Sequence, residues 1–546
     1  MSLHPRPMPP VPEETAKIAR AAFPKGNTYM RMRDELGPIF ADEQFAELYA
    51  KVGQPAASPA QLALVTVMQF GEGLSDRAAA RAVVARIDWK YALGLEITDP
   101  GFDASVLSEF RTRLVEGNAE LLLFETMLRC LRDNGLLKER GRMRTDSTHI
   151  LAAIRTLGRL ECVGETLRQA LNVLATVAPD WLQGWVPSEW YDRYSRRFEE
   201  YRLPKSRQDR YQLGEQIGQD GMTLWEQLGS NPELVSLRQL PALETMRQVW
   251  LQQFVVQAGD LNWRSADDLP PAHLMIQSPY DIEARYSKKR ETAWTGYKVH
   301  LSESCDEDLP HLIVNVETTV ATTTDYEMTP IIHTKLAEQD LLPAEHLVDT
   351  GYMSADHLVA GQQQGIDLIG PVQEDRSWQA QAGLGFDAAS FTLDWDQQRA
   401  ICPQGAVSNK WSTMRRHNHQ LYNFRFPRGA CANCDVRAKC TKAVDTPRTL
   451  TIQAQPAYEA LQAARQRQQQ PAFREQYNKR AGVEGTISQG IAIADLRQTR
   501  YIGLPKTRLQ HILTALGMNI LRLGAWWADR PSALTRTPPF ARLAPA

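Results

Sequence analysis

GYKVHLSE (296–303) and HLIVNVETT (311–319) set the fold class. In the first, Tyr297, Val299 and Leu301 alternate with Lys298, His300 and Ser302, the period of two that a half-buried strand requires. The second is rich in β-branched residues, which suit a pleated surface. Downstream, MTPIIHTKLAEQ (328–339) reads as a helix, HLVD (346–349) as a short strand and IDLIG (366–370) as another. Upstream, RMRTDSTHI (142–150) is a further β-like segment ending in polar residues. Strands alternating with helices predict an α/β core with some parallel pairing.

Towards the N-terminus, residues 30–135 read as helical. Ser58-Pro59 is a start signal, a capping hydroxyl followed by proline at the first helical position. Leu62, Val65, Phe70, Ala79, Val83 and Ile87 recur at helical spacing, with GEGLS (71–75) as a break. Arg77, Arg81, Arg111 and Arg113 either face phosphates, as in a helix-turn-helix, or line the solvated face of a bundle. A second helical stretch, about 160–260, holds Trp181, Trp185, Trp190, Trp225 and Trp250, with Trp263 at its end. Within it, 193–211 interleaves basic residues with Tyr194, Phe198, Tyr201 and Tyr211. That mixture suits a surface that tracks a nucleic-acid backbone, or an exposed helix face with buried aromatics. Residues 375–450 lean to β structure and carry cysteines, and two helical segments follow to 527.

The chain has 546 residues, 62 Lys+Arg against 64 Asp+Glu, a formal net charge of −2, and seven cysteines. At roughly 150 residues per domain, three or four units are expected. Near-neutral charge excludes nucleic-acid binding through bulk charge but not through local basic surfaces. No apolar run approaches the roughly 18 residues of a membrane span. An odd cysteine number does not fit a secreted disulfide scaffold, so a reducing cytoplasm is the expected location.

With so many acidic residues, spacing alone selects nothing. Context selects three. Asp146 ends the strand-like RMRTDSTHI, Asp349 ends HLVD before a TGY turn, and Glu484 opens a helix in YNKRAGVEGTISQG (477–490). Carboxylates at the C-terminal ends of strands stand where α/β sheets bind ligands. Three of them converging would crowd negative charge, which hard divalent cations such as Mg²⁺ offset. Such a site supports phosphoryl transfer.

These residues resemble the DDE transposases of bacterial insertion sequences. TDSTHI resembles the first-aspartate strand, LVDTGY the second, and Tyr477-x2-Arg480-x3-Glu484 the signature around the final glutamate. The resemblance extends to SPYDIEARYSKKRETAWTGYKVH (278–300), LRQTRYIGLPKTRLQH (496–511) and the Asn519/Arg522 pair. One departure stands out: the signature has Lys seven residues after the glutamate, and here that position is Ile491. The resemblance implies a ribonuclease-H-like α/β catalytic core with an all-α N-terminal domain, an inserted helical domain and a small β-leaning Cys-rich insertion. The expected layout is a disordered Pro-rich leader (1–25), an N-terminal DNA-binding or dimerisation domain (26–140) and a core from 141–160, 275–372 and 455–527. The Trp-rich insertion takes 161–274, the Cys-bearing insertion 373–454 and a tail 528–546.

Asp146, Asp349 and Glu484 are thus the expected catalytic residues, holding two Mg²⁺ or Mn²⁺ per site. Expected DNA contacts are Tyr477, Lys479, Arg480, Arg497, Arg500, Lys288, Lys289 and Arg290, with element terminal inverted repeats and target DNA as partners and a homodimer in the synaptic complex. A nuclease that stops after hydrolysis and a DNA-binding repressor derived from an inactive transposase are the alternatives. Cys402, Cys431, Cys434 and Cys440 are candidate ligands for a structural zinc, with His417 and His419 as substitutes. The competing reading is reduced cysteines packed in a small β insertion.

Overall fold

Tyr297, Val299 and Leu301 lie at the centre of a six-stranded mixed sheet. The computed structural model describes residues 1–530 apart from 382, 384, 417 and 418. The strands are β1 (Arg142–Leu151), β2 (Arg285–Lys289), β3 (Thr292–Ser304), β4 (Ile313–Val320), β5 (Glu345–Leu347) and β6 (Asp367–Ile369). β3 is the long member: its first residues pair with β2, the remainder with β4, and its other edge with β1, all antiparallel. β1 then pairs with β5, and β5 with β6, in parallel. This mixed α/β arrangement is consistent with a ribonuclease-H-like core.

The alternation in β3 predicts one wet face, and here the structure differs. His300 and Ser302 are as buried as Tyr297 and Val299. Both faces are covered, so the second set of side chains must find internal partners. Ser302 accepts a hydrogen bond from the Thr145 hydroxyl at 2.7 Å, and His300 Nδ1 meets the Tyr352 hydroxyl at 2.7 Å.

A 24-residue helix, Leu504–Trp527, covers β4 and is buried along most of its length. Asn519 clamps it to the strand, its amide pairing with both the N–H and the C=O of Ile313 at 2.8 Å. Among its other neighbours is the N-terminal helix Pro59–Gly71, capped by Ser58 and with proline at its first position. The two helices cross at Gly71 and Gly517, where a Cβ on Gly517 would lie 2.5 Å from the Gly71 nitrogen. The N-terminal helices and the sheet consequently share one hydrophobic core, running from Tyr29 and Phe45 through Leu301 to Leu523.

The leader expected to be disordered is instead folded onto this block. Ser2 bridges Ala50 and Pro55, Arg33 donates to the Pro9 carbonyl at 2.7 Å, and Glu13–Ala22 is helical, with Thr15 bonded to the Leu95 carbonyl at 2.8 Å. Five prolines preset extended backbone angles, which lowers the entropy lost on docking.

Between β1 and β2 the chain builds a second core from the helices Arg159–Val177, Arg207–Ser230 and Pro241–Gln253, into which Trp190, Tyr194, Phe198 and Trp250 are packed. A β-hairpin, Phe254–Gln257 with Asp260–Trp263, adds strands to a stretch whose pattern reads as helical. Beyond β6, a three-stranded antiparallel sheet (Lys410–Arg416, His419–Arg425, Thr449–Gln453) and a short hairpin enclose a third core around Phe391, Phe424 and Phe426. Among the described residues no helix is long and apolar enough to cross a membrane. The tail from 531 lies outside the described residues.

Candidate active site

Register alone brings two of the three selected carboxylates together. Leu347 of β5 lies opposite Arg144 of β1 in a parallel pair. Two residues beyond that last pair come Asp349, just past β5, and Asp146. Asp146 lies in the middle of β1 rather than at its expected end because the strand runs on to Leu151. The two are near enough for the Asp146 charge to act on Asp349. Asp349 caps the single turn Thr350–Tyr352, its Oδ1 accepting the Gly351 N–H at 2.8 Å. Burial raises the pKa of its carboxyl, and the neighbouring charges of Asp146 and then Asp325 raise it further.

Glu484 arrives from the first turn of the helix Gly482–Ala494, where a carboxylate is also favoured by the positive helix end. It remains 63% exposed and is tied to Asp146 by one side chain. Arg480 Nη1 donates to Asp146 Oδ2 at 2.9 Å and Nη2 to Glu484 Oε1 at 3.2 Å. Arg480 Nε donates to the Tyr477 hydroxyl at 3.1 Å, and the Tyr477 ring stacks on Phe473 with an interplanar angle of 5°. The aromatic stack therefore fixes the guanidinium that spans the two carboxylates. Ile491, at the position of the missing lysine, is a partly buried apolar residue packed on the main core, so this helix face serves packing.

Two features have no clear mark in the sequence motifs. The first is Asp325, in the opening turn of the helix Asp325–Glu338 after the capping residue Thr324. It accepts from Ser147 Oγ at 2.9 Å and pairs with Lys298 Nζ at 3.4 Å. A Cβ on Gly351 would stand 3.0 Å from both Asp325 Oδ2 and Asp349 Oδ1, so Gly351 is the spacer between the two carboxylates. Nothing in TTTDYE distinguishes this aspartate from an ordinary helix-start acid.

The second is Glu303, fully buried, which accepts from Arg144 Nε at 2.6 Å, Arg522 Nη1 at 2.6 Å and Thr486 Oγ1 at 2.5 Å. Arg144 lies on β1 two residues before Asp146, and Thr486 lies on the helix of Glu484. Arg144 also donates to the Lys479 carbonyl at 2.7 Å, beside Arg480. One carboxylate thus joins the strand of Asp146 to the helix of Glu484. A signal does exist: Glu303 continues the alternation Tyr297, Val299, Leu301, which puts a charge on the buried register.

The expected DNA-contacting residues fall into different settings. Lys288, Lys289 and Arg290 are exposed at the β2–β3 turn, with Lys289 Nζ 3.9 Å from Asp325. Arg497 is exposed near β1 and donates to Thr148 Oγ1 at 3.0 Å. Lys479 pairs with Glu307 at 2.6 Å, and the Arg500 guanidinium lies 5.0 Å from the Phe70 ring centroid. Tyr477 and Arg480 belong to the carboxylate site itself. Of the N-terminal arginines, Arg77 and Arg81 are exposed, whereas Arg111 is buried and paired with Asp76 at 2.6 Å, a structural contact rather than a phosphate-facing one.

The donor set of Asp146, Asp349 and Glu484 is all oxygen and suits a hard divalent cation, which would offset the burial first and then the Asp146 and Asp325 charges that raise the Asp349 pKa. As the side chains stand, however, Arg480 lies between Asp146 and Glu484, and among the described residues no group of three or more His, Cys, Asp and Glu is disposed to hold a metal ion. The same finding corrects the zinc expectation. Cys402, Cys431, Cys434 and Cys440 line one cavity of about 420 Å³ as free thiols, and among the described residues they form no group disposed to hold a metal ion. Burial raises the Cys440 thiol pKa, which favours the protonated form. His417 lies outside the described residues, as does the side chain of His419.

A model of the transposase DDE domain matches residues 401–524, a span that contains Glu484 but neither aspartate. A model of a transposase domain, DUF772, matches residues 18–113, the N-terminal helices. No curated protein matches the chain significantly. Matches to a DDE domain and to a transposase helical domain thus occur in one chain, in the order read from the motifs, and together they support a DDE transposase of insertion-sequence type.

Proposed function

We propose that this transposase cleaves DNA at the ends of its own insertion sequence and joins the freed ends to target DNA, using Asp146, Asp349 and Glu484. The observation that carries the reading is the β1–β5 register, which sets Asp349 beside Asp146, with Arg480 linking Asp146 to Glu484. Asp146, Asp349 and Glu484 would hold two Mg²⁺ or Mn²⁺ ions. When bound, such ions activate an attacking hydroxyl and stabilise the leaving oxygen of an in-line displacement.

Water attacks the scissile phosphodiester, and the P–O bond to the 3′ oxygen breaks, leaving a 3′-hydroxyl. That hydroxyl attacks a target phosphodiester, a new P–O bond forms and the target's own 3′ oxygen leaves. The chain's residues act around this exchange. Glu303 and its two arginines hold the Glu484 helix against β1. Tyr477 orients Arg480, whose guanidinium would be available to a DNA phosphate if cations neutralised the carboxylates it now spans. Lys288, Lys289, Arg290 and Arg497 supply backbone contacts around the site.

The test is cleavage and strand joining with DNA carrying the inverted repeats that flank the gene. Asp146→Asn, Asp349→Asn and Glu484→Gln should each abolish both steps. Unchanged cleavage in any of the three removes that residue from the site, and unchanged cleavage in all three removes the assignment. Joining of pre-cleaved ends separates a strand transferase from a nuclease.

A further inference from the structure

The inserted helical domain between β1 and β2 carries an open groove of about 760 Å³ whose lining includes none of the three carboxylates and which the mechanism above does not use. Four arginines line it: Arg159, Arg207, Arg210 and Arg264. Its two acids are already engaged. Glu161 accepts the Gly158 N–H and an Arg155 guanidinium, and Glu200 takes Arg210 at 2.5 Å.

The remaining arginines lack a carboxylate in the groove. Arg159 donates only to Gln253, and Arg207 makes no ion pair among the described residues. Arg264 pairs with Asp268, which is not part of the groove lining, at 2.8 Å while its Nε is buried without a partner. The Arg159 guanidinium lies 4.5 Å from the Trp263 ring centroid, which fixes its plane. Burial and then the like charge of Arg264 lower the Arg159 pKa to about 10, an unusual condition for a guanidinium and one that a nearby anion would relieve. Arg207 opens the helix Arg207–Ser230, and Tyr211 follows one turn later with its side chain 47% exposed at the rim.

Crowded guanidiniums, of which Arg159 and Arg207 have no counter-charge and Arg264 keeps its Nε unpartnered, match phosphate oxygens, which the arginine fork binds in pairs. The groove is open rather than enclosing, so it suits a polymer that passes through it better than a small molecule that must be surrounded. Within the basic stretch 193–211, Arg193 is paired with Asp220 and Arg202 with Glu199, whereas Arg207 and Arg210 line the groove. We infer that this groove, through Arg159, Arg207 and Arg264, is a second DNA-binding site that grips backbone phosphates of duplex DNA away from the carboxylate centre. The inference rests on the transposase reading and extends it to a domain that neither matched family model covers.

The test uses the full chain in EDTA, so that binding is read without cleavage. The probe is a fluorescein-labelled duplex of arbitrary sequence several helical turns long, followed by anisotropy across a salt series. The slope of log affinity against log salt should flatten by about 0.9 for each phosphate no longer neutralised, so by about 1.8 for the double variant Arg159→Gln/Arg264→Gln. The exposed Arg207→Glu carries little folding risk and should weaken binding, whereas Arg207→Lys should retain it. Arg247→Gln, on the same domain but outside the groove and paired with Glu244, should leave the slope unchanged. Groove variants with the unaltered slope and affinity overturn the inference while leaving the active-site reading intact. Competition by inorganic phosphate at fixed ionic strength also overturns it, by making the groove a small-anion pocket. Failure of the unaltered chain to bind any duplex overturns both readings.

Discussion

Replacing Glu303 by Gln tests how the two halves of the active site are held together. Its carboxylate is fully buried, and its partners Arg144 and Arg522 are only 9% and 16% exposed. The substitution keeps the shape but leaves two nearly buried guanidiniums without their counter-charge. Breaking a buried ion pair from one side costs about 3–5 kcal/mol. If the sheet opens as a unit, that corresponds to a loss of about two to four orders of magnitude in hydrogen-exchange protection for the β1 and β3 amides. Exchange read by mass spectrometry is the assay, and it resolves the sheet from the two inserted cores. The effect has a defined pH dependence. Burial alone would raise the Glu303 pKa, but Arg522 and Arg144 hold it below its ordinary 4.5. Its contribution is therefore complete above the unfolded value and is lost as pH falls through the lower folded value, so wild type and variant converge in acid. Unchanged β1 and β3 protection in the variant at neutral pH would disprove this coupling.

Three further substitutions probe the site and its support. Gly351→Ala places a methyl group 3.0 Å from Asp325 and Asp349 oxygens, and should cut DNA cleavage at least about tenfold while circular dichroism stays unchanged. In Asp349 the folded pKa is raised, by burial first and then by Asp146 and Asp325, so its ionised form strains the fold as pH rises above the unfolded value. Asp349→Asn should accordingly raise the unfolding temperature near pH 7, have little effect in acid, and abolish cleavage; a lower unfolding temperature near pH 7 would rule out the electrostatic picture. Gly517→Ala drives a Cβ to 2.5 Å from the Gly71 nitrogen and should cost about 1–3 kcal/mol by overpacking, measured as a lower denaturation midpoint.

Local pattern carries the sheet. The alternation of 296–303 and the β-branched run of 311–319 lie in β3 and β4, and RMRTDSTHI falls within β1. Strand-end position singles out Asp349, just past β5, but not Asp146, which the structure places in the middle of β1 opposite Leu301. Their proximity depends on parallel pairing of β1 with β5, which no single segment encodes. In a half-buried strand Glu303 passes for a surface acid, although its parity with Leu301 points inward. Asp325 cannot be told from a helix-start residue, since its role depends on Gly351 and Asp349 reaching it from another element. Arg111 resembles its exposed neighbours in sequence because its partner Asp76 lies on a different helix. The leader's prolines suggest disorder, yet the same fixed backbone angles let it lie flat on the helices it contacts. The cysteine spacing suggests zinc, but spacing gives only reach, and the fold disposes the four thiols around a cavity.

Cysteine substitution of Asp146, Asp349 and Glu484, one at a time, probes whether these side chains ligate divalent cations during DNA cleavage. The change exchanges a hard oxygen donor for a soft sulfur, which Mg²⁺ disfavours and Mn²⁺ tolerates better. Cleavage by the three cysteine variants should vanish in Mg²⁺ and return in part in Mn²⁺, with the unaltered chain active in both. Variants equally active in Mg²⁺ and Mn²⁺ would count against cation ligation, as would variants that Mn²⁺ never restores although their fold and DNA binding are intact.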